Sequence, residues 1–196
     1  MSLDNWVNSL KAGTTQTEFT QEVFRLITIR PEREEDYAAI GEVNRVAFGR
    51  ENEARLVGNL RKSVNFIPEL SLVAVKDGSV VGHILFSPIA IQVSNGNLPA
   101  LALAPLAVRP EYQNQGFGSA LVRHGLRQCR DLGHKVIVVV GHPEYYPRFG
   151  FSSARAKGLE VPFPVPDEAF MALELVSGAL DGIAGLVIYP AAFDGV

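Results

Sequence analysis

Among its 196 residues the chain has one cysteine, one tryptophan and two methionines. A single cysteine, Cys129, excludes a disulfide framework and any Cys-rich zinc site, and it suits a reducing compartment, so a cytoplasmic location is expected. The four histidines are too scattered to suggest a metal site, and no metal is expected. No apolar run approaches the length that spans a bilayer. The opening segment MSLDNWVNSLKAG carries Asp4 and lacks an apolar signal core, so no export signal is read. Excess positive charge is also missing. Lys and Arg number 18 against 21 Asp and Glu, a net charge of −3, which argues against a chain that coats nucleic acid. A polyanionic small ligand would therefore have to be held by local geometry and not by bulk charge.

What is present is a foldable amount of apolar material, 47% of the residues, enough for one domain with a real core. Residues 1–24 are polar and read as an N-terminal arm, with residues 25–196 as the domain. A first strand candidate, 24–30, ends at Pro31. The segment 31–48 has Tyr37, Ile40 and Val43 at helical spacing, and a second helix is expected over roughly 51–62. Two β-rich runs between residues 71 and 93 are joined at Asp77-Gly78, a strong hairpin signal, and a turn near Asn95-Gly96 leads into a third. In that run Pro105 cannot donate to a ladder, so a bulge or an edge is expected there. A helix follows to Gly133, with Leu121, Val122, Gly125, Leu126, Cys129 and Leu132 inward. Then comes KVIVVV (135–140), a β-branched run typical of a strand buried on both faces. That βαβ unit should be parallel and right-handed. A short helix near 143–149 and strands at 170–175 and 185–190 complete an α/β domain with a mixed sheet.

The segment that carries chemistry is 105–119. A strand ends near Val108, a loop holds Gly116 and Gly118, and a helix starts at once. Backbone N–H groups at a helix start have no intrahelical partners and lie at the positive end of the macrodipole. Glycine adds unusual backbone angles and close approach, so the segment suits a phosphate group with little side-chain charge. A dinucleotide fingerprint would need a third glycine and an acid about 20 residues on, and a Walker loop would need Gly-Lys-Ser/Thr; neither is present.

Gln113-x-x-Gly116-x-Gly118, after a strand ending Leu106-Ala107-Val108, resembles the Q/R-x-x-G-x-G/A motif of the GNAT superfamily of acyl-CoA N-acyltransferases. Tyr146-Pro147-Arg148-Phe149-Gly150-Phe151 resembles that family's Y-x-x-x-G-F signature, and the element order is similar over roughly residues 25–190. Within the superfamily the chain looks most like the bacterial YhbS-like branch of acetyltransferases. The resemblance implies a mixed, mostly antiparallel central sheet with one parallel pair splayed between the fourth and fifth strands, and helices on both faces. It implies acetyl-CoA as co-substrate, with the backbone amides of Gln113, Asn114, Gln115, Gly116, Phe117, Gly118 and Ser119 on the pyrophosphate and Leu106, Ala107 and Val108 along the pantetheine arm. It implies the Leu106 amide as the donor facing the thioester carbonyl, worth about 3 kcal/mol for one such donor. Tyr146 takes the place of the general acid that reprotonates the CoA thiolate, and of the adjacent Tyr145 and Tyr146 only one is expected to face the cleft.

The acceptor side is less defined. The fourth strand, 98–108, contains no carboxylate, and Gly141-His142 stands where an asparagine often follows the fifth strand in this family. A water relay is therefore expected in place of a direct base, with His83, His142 and Glu174 as candidate anchors. The last strands, with Pro162, Pro164 and Pro166 before them, are expected to shape the pocket for an unidentified amine acceptor. The function expected is direct acetyl transfer from acetyl-CoA to that amine in a ternary complex. The alternative is a catalytically silent acyl-CoA sensor. Proteins of this kind are often homodimers, and the sequence does not fix the oligomeric state.

Overall fold

The computed structural model describes residues 27–195, so the expected arm over residues 1–24 lies outside the described residues. A nine-stranded mixed sheet runs through the domain. Strand β1 (Thr28–Pro31) lies at one edge against β2 (Ser71–Lys76), which pairs antiparallel with β3 (Ser79–Val93). The two-residue turn between them has positive φ at both Asp77 (49°) and Gly78 (78°), the twist that Asp-Gly accommodates. β3 pairs antiparallel with β4 (Gly96–Val108), and β4 pairs parallel with β5 (Val136–Val140). Beyond β5 lie β8 (Phe170–Glu174) and the short β6 (Ser152–Ser153). β9 (Gly185–Ile188) adds to the far half of β3 and carries β7 (Leu159–Glu160).

Helices cover both faces. α1 (Tyr37–Phe48) and α2 (Asn52–Arg61) bury Ile40, Val43, Leu56, Val57 and Leu60 against Val73, Leu85 and Ala107. On the other face α3 (Phe117–Asp131) buries Phe117, Leu121, Val122, Leu126 and Cys129 against Leu72, Ile84, Phe86 and Ile137. A third cluster around Phe170, Val136, Val138 and Val187 closes the C-terminal half. The expected α1 segment is shorter than its sequence periodicity suggested, because residues 34–36 form a separate 3-10 turn first. The helix expected near 143–149 is likewise a single 3-10 turn, Tyr146–Phe149.

A buried polar chain ties these layers together. Asn44 on α1 donates to His83 Nδ1 at 3.3 Å, which leaves His83 Nε2 as the donor to Ser71 Oγ at 3.0 Å. Ser71 donates to Glu32 at 2.7 Å, and Arg61 of α2 holds the Glu32 carboxylate through two bonds of 2.7 and 2.8 Å.

The feature that positions the site is where β4 and β5 part. Their parallel pairing covers only Leu101↔Ile137 and Ala102↔Val138. At Ala104-Pro105 the β3–β4 register slips by one residue, two on β4 facing Leu85 alone, which is the bulge expected at Pro105. Beyond it β4 continues to Val108 on β3 alone, and β5 diverges.

Candidate active site

A cleft of about 1260 Å³ opens where the strands part. Its walls are Ala102–Val108 of β4, Val138–Gly141 at the end of β5, and the segment joining α1 to α2. Gln113, Asn114 and Gly118 line it near the start of α3, and Pro162, Phe163, Ile188, Tyr189 and Phe193 line it from the C-terminal segments.

The antiparallel alternation of β4 decides which backbone groups face this opening. Arg109 N–H donates to Val81 O at 2.9 Å, so this opposed pair is hydrogen-bonded. Stepping along the register, Ala107 opposite His83 is also a bonded pair, whereas Val108 opposite Gly82 and Leu106 opposite Ile84 are not. The N–H and C=O groups of Leu106 and Val108 therefore point away from β3, into the gap left by β5. Ala107 is corrected by the same rule. Its peptide groups are directed at β3, so it borders the cleft by position and offers no strand-like hydrogen bond to a ligand there.

The loop before α3 is preset by side chains. Gln113 Nε2 donates to Val108 O at 3.0 Å and Gln115 Nε2 to Glu111 O at 2.8 Å. Asn114 and Gly116 both take the left-handed conformation, φ 57° and 87°, so the chain turns sharply into the helix. The first helical donor to find a carbonyl is Ala120, to Gly116 O at 2.9 Å. Phe117, Gly118 and Ser119 precede it in the first turn and have no intrahelical acceptor. Gln113 is a correction of role: its own N–H donates to Pro110 O at 3.2 Å, so its contribution is to shape the loop.

Both tyrosines line the cleft, contrary to the expectation that one would turn away. Their rings stand nearly perpendicular, 84° apart with centroids at 5.1 Å, so each can present a different edge to the same space. Tyr145 reaches the helix start: its hydroxyl is 2.8 Å from where a Cβ at Gly118 would stand. Tyr146 lies across the end of β5, its ring 2.4 Å from the position of a Cβ on Gly141, which only glycine leaves free. Tyr146 is 7% exposed. Burial and the neighbouring Tyr145 push its phenol well above the usual tyrosine range, so it keeps its proton at neutral pH.

Of the three proposed relay anchors only His142 borders the cleft. His83 is fully buried in the chain from Asn44 to Glu32, and Glu174 pairs with Lys157 and Leu180 N–H away from the opening. A carboxylate outside the sequence motifs also lines the cleft: Glu53, in the first turn of α2, with a side chain 12% exposed. Its signal was present but weak, since Leu56, three residues on, packs with Ala104 and Ala107 of β4 and shares a helix face with Glu53. Among the described residues no cluster of three or more His, Cys, Asp or Glu is placed to hold a metal ion. None of the described helices is long and apolar enough to cross a membrane.

A gap between β4 and β5 faced by the peptide groups of Leu106 and Val108, beside a glycine-shaped helix start, is the arrangement the sequence resemblance implied. The sequence model of the family described as Acetyltransferase (GNAT) domain matches residues 28–154. The chain belongs to the GNAT acetyltransferase family. Its curated relatives include the uncharacterized N-acetyltransferase YjhQ of Escherichia coli (strain K12), 42% identical over 68% of this chain and 74% of that protein. The uncharacterized N-acetyltransferase YhbS of the same strain is 38% identical over 82% of this chain and 95% of that protein. Among solved structures, Escherichia coli YhbS in complex with CoA superposes with a TM-score of 0.78 at 36% identity, covering 85% of this chain and 91% of that one. A GNAT acetyltransferase from Brucella melitensis in complex with acetyl-CoA superposes with a TM-score of 0.70 at 35% identity, covering 86% and 98%. The fold is accordingly the mixed GNAT sheet with its parallel β4–β5 pair, and Gln113, Gly118 and Tyr146 of the two sequence motifs line the cleft where those strands part.

Proposed function

We propose that this chain is an acetyl-CoA-dependent N-acetyltransferase that moves the acetyl group directly to an amine in a ternary complex. The observation that carries the reading is the outward-facing peptide groups of Leu106 and Val108 beside a helix whose first N–H groups are free. Leu106 and Val108 would pair with the pantetheine amides as a neighbouring strand does, and the amides of Asn114 to Ser119 would take the pyrophosphate. Charge developing on the thioester oxygen would meet the Leu106 N–H, a donor fixed in place before the reaction.

The amine nitrogen bonds to the acetyl carbon, the carbon–sulfur bond breaks, and the Tyr146 phenol gives its proton to the departing sulfur, a proton replaced by the one the nitrogen sheds as the amide forms. The low-dielectric surroundings that hold the Tyr146 proton also raise the basicity of a thiolate beside it, which keeps the transfer feasible. A covalent acetyl-cysteine route is disfavoured, because Cys129 lies in the core under α3 and burial pushes its thiol up to about 12. His142, at the cleft edge, is the remaining anchor for a water relay.

Acetyl-CoA should raise the melting temperature of the protein, and Gly116→Asp, which puts an acid in the anion cradle, should abolish that rise. A mutant that still responds would refute the site. Stabilisation without CoA release on any amine would favour the acyl-CoA sensor.

A further inference from the structure

The acceptor side of the cleft has a definite chemistry. Phe163, Tyr189 and Phe193 form a continuous aromatic wall, with successive ring centroids 5.7 and 5.0 Å apart. The mouth adds Phe48, Val140 and Ile188, exposed by 40, 42 and 39%, with Phe163 at 43%. Four of the eight large hydrophobic side chains exposed among the described residues thus gather on this one opening. Scattered apolar exposure needs no explanation, but its concentration at the mouth of a cleft marks a binding surface.

Charge is placed just as selectively. Arg50, Glu53 and Asp194 are the lysine, arginine or carboxylate side chains that line the cleft. Both carboxylate oxygens of Glu53 accept from the Arg50 guanidinium, at 2.5 to 3.2 Å, and both residues line the cleft. Glu53, 12% exposed, is the more buried partner of the pair, and Arg50, 62% exposed, the more solvated one. The wall is held against α2 by Arg55 donating to Gly195 O at 2.9 Å and Asn59 to Ala192 O at 3.4 Å, so aromatic surface and carboxylate keep a fixed relation.

We propose that the acceptor is a primary amine on an apolar, preferentially aromatic body, its ammonium drawn to Glu53 and its body laid on the Phe163–Tyr189–Phe193 wall. This rests on the acetyl-transfer reading above. A polyamine would present more cations than two lining carboxylates can meet. An α-amino acid would need a cation for its carboxylate, and Arg50, the lining arginine, is already held by both oxygens of Glu53. The bound ammonium must lose one proton before its nitrogen can attack; Glu53 takes it and passes it to water at the mouth, while Tyr146 gives its proton to the departing sulfur and is reloaded by the second proton that the nitrogen sheds as the amide forms. The products are the N-substituted acetamide and CoA.

The test uses the full chain with saturating acetyl-CoA and follows CoA release with a chromogenic thiol reagent. The acceptors are 2-phenylethylamine, ethanolamine, spermidine and a polar lysine-containing peptide. The expected kcat/KM for 2-phenylethylamine exceeds that for ethanolamine by about 10- to 100-fold, the range that burial of one aromatic group implies. Phe163→Ser, at an exposed position that folding tolerates, should lower the 2-phenylethylamine value about tenfold through KM. Glu53→Gln should depress kcat/KM, and Glu53→Asp should restore part of it. Release of CoA with spermidine, the peptide or ethanolamine at an equal or higher kcat/KM overturns the acceptor class alone, as does a Phe163→Ser variant with unchanged selectivity. No CoA release with any of the four amines overturns the acetyltransferase reading itself.

Discussion

Tyr146 and Cys129 are both buried, and burial acts on them in opposite functional senses. For a phenol that must hold a proton until a thiolate appears, an apolar setting keeps the acid form loaded. For a thiol that would have to ionise to attack, the same setting is disabling, and Cys129 is pushed up to about 12. Tyr146→Phe should therefore lower kcat by about 10²- to 10⁴-fold, the usual contribution of a positioned acid, with acetyl-CoA affinity little changed. Steady-state kinetics beside calorimetric titration would check this, and full activity in the variant would remove Tyr146 from the mechanism. Cys129 should fail to react with a disulfide reagent in the folded protein at pH 8 and react fully in denaturant. Rapid labelling of the native state would contradict its place in the core.

Among the elements, the polar chain from Asn44 to Arg61 joins α1, α2, β2 and β3 at one buried locus. Burial alone would raise the Glu32 carboxyl, but the hydrogen bonds from Arg61 and Ser71, with the His83 imidazole 3.6 Å away, outweigh it and hold it down to about 2. Its folded value lies below the unfolded one near 4.5, so this contribution, up to about 3 kcal/mol, is present above pH 4.5 and lost as pH falls toward 2. His83 shifts downward because burial disfavours its charged form. The unfolded chain takes up that proton first, so stability should begin to decline below about pH 6.5. Urea midpoints at pH 7, 5 and 3 should fall in that order, and Glu32→Gln should flatten the drop between pH 5 and 3. An equally steep drop in the variant would show that the loss arises elsewhere. The elements themselves were largely legible, because periodicity, Asp77-Gly78 and Pro105 act locally. The short β6 and β7 were not, since two-residue strands carry no periodic signal and exist only through β8 and β9.

At the scale of the whole molecule, the cleft exists because one sheet is asked to do two things. β3 holds β4 along its whole length, while β5 is drawn toward β8, and the gap between them is left without a protein partner. A ligand that fills this gap adds the missing strand, so its binding should report on the global fold. Acetyl-CoA at a hundredfold excess over its Kd should stabilise by about 2.7 kcal/mol. For a domain of this size that is a rise of roughly 5 to 10 °C in Tm, measurable by scanning fluorimetry. A rise of less than about 1 °C at saturation would mean that the cofactor does not engage the splayed strands.

Residues 105–119 and 146–151 were enough to name the family and the side of the cleft where CoA should lie, because a phosphate loop and its helix are contiguous in the chain. Contiguity also explains why the loop glycines, Tyr146 and the bulge at Pro105 were all visible before any fold was known. The acceptor side is assembled differently: Glu53 comes from α2, Tyr189 follows β9, and Phe163 and Phe193 come from segments near the C-terminus. No local pattern marks these residues as neighbours, and only the packing of α2 and the C-terminal segments around the parted strands brings them to one wall. Backbone direction belongs to the same level, for Leu106 and Ala107 are adjacent and chemically alike, and register alone turns one toward the cleft and the other toward β3.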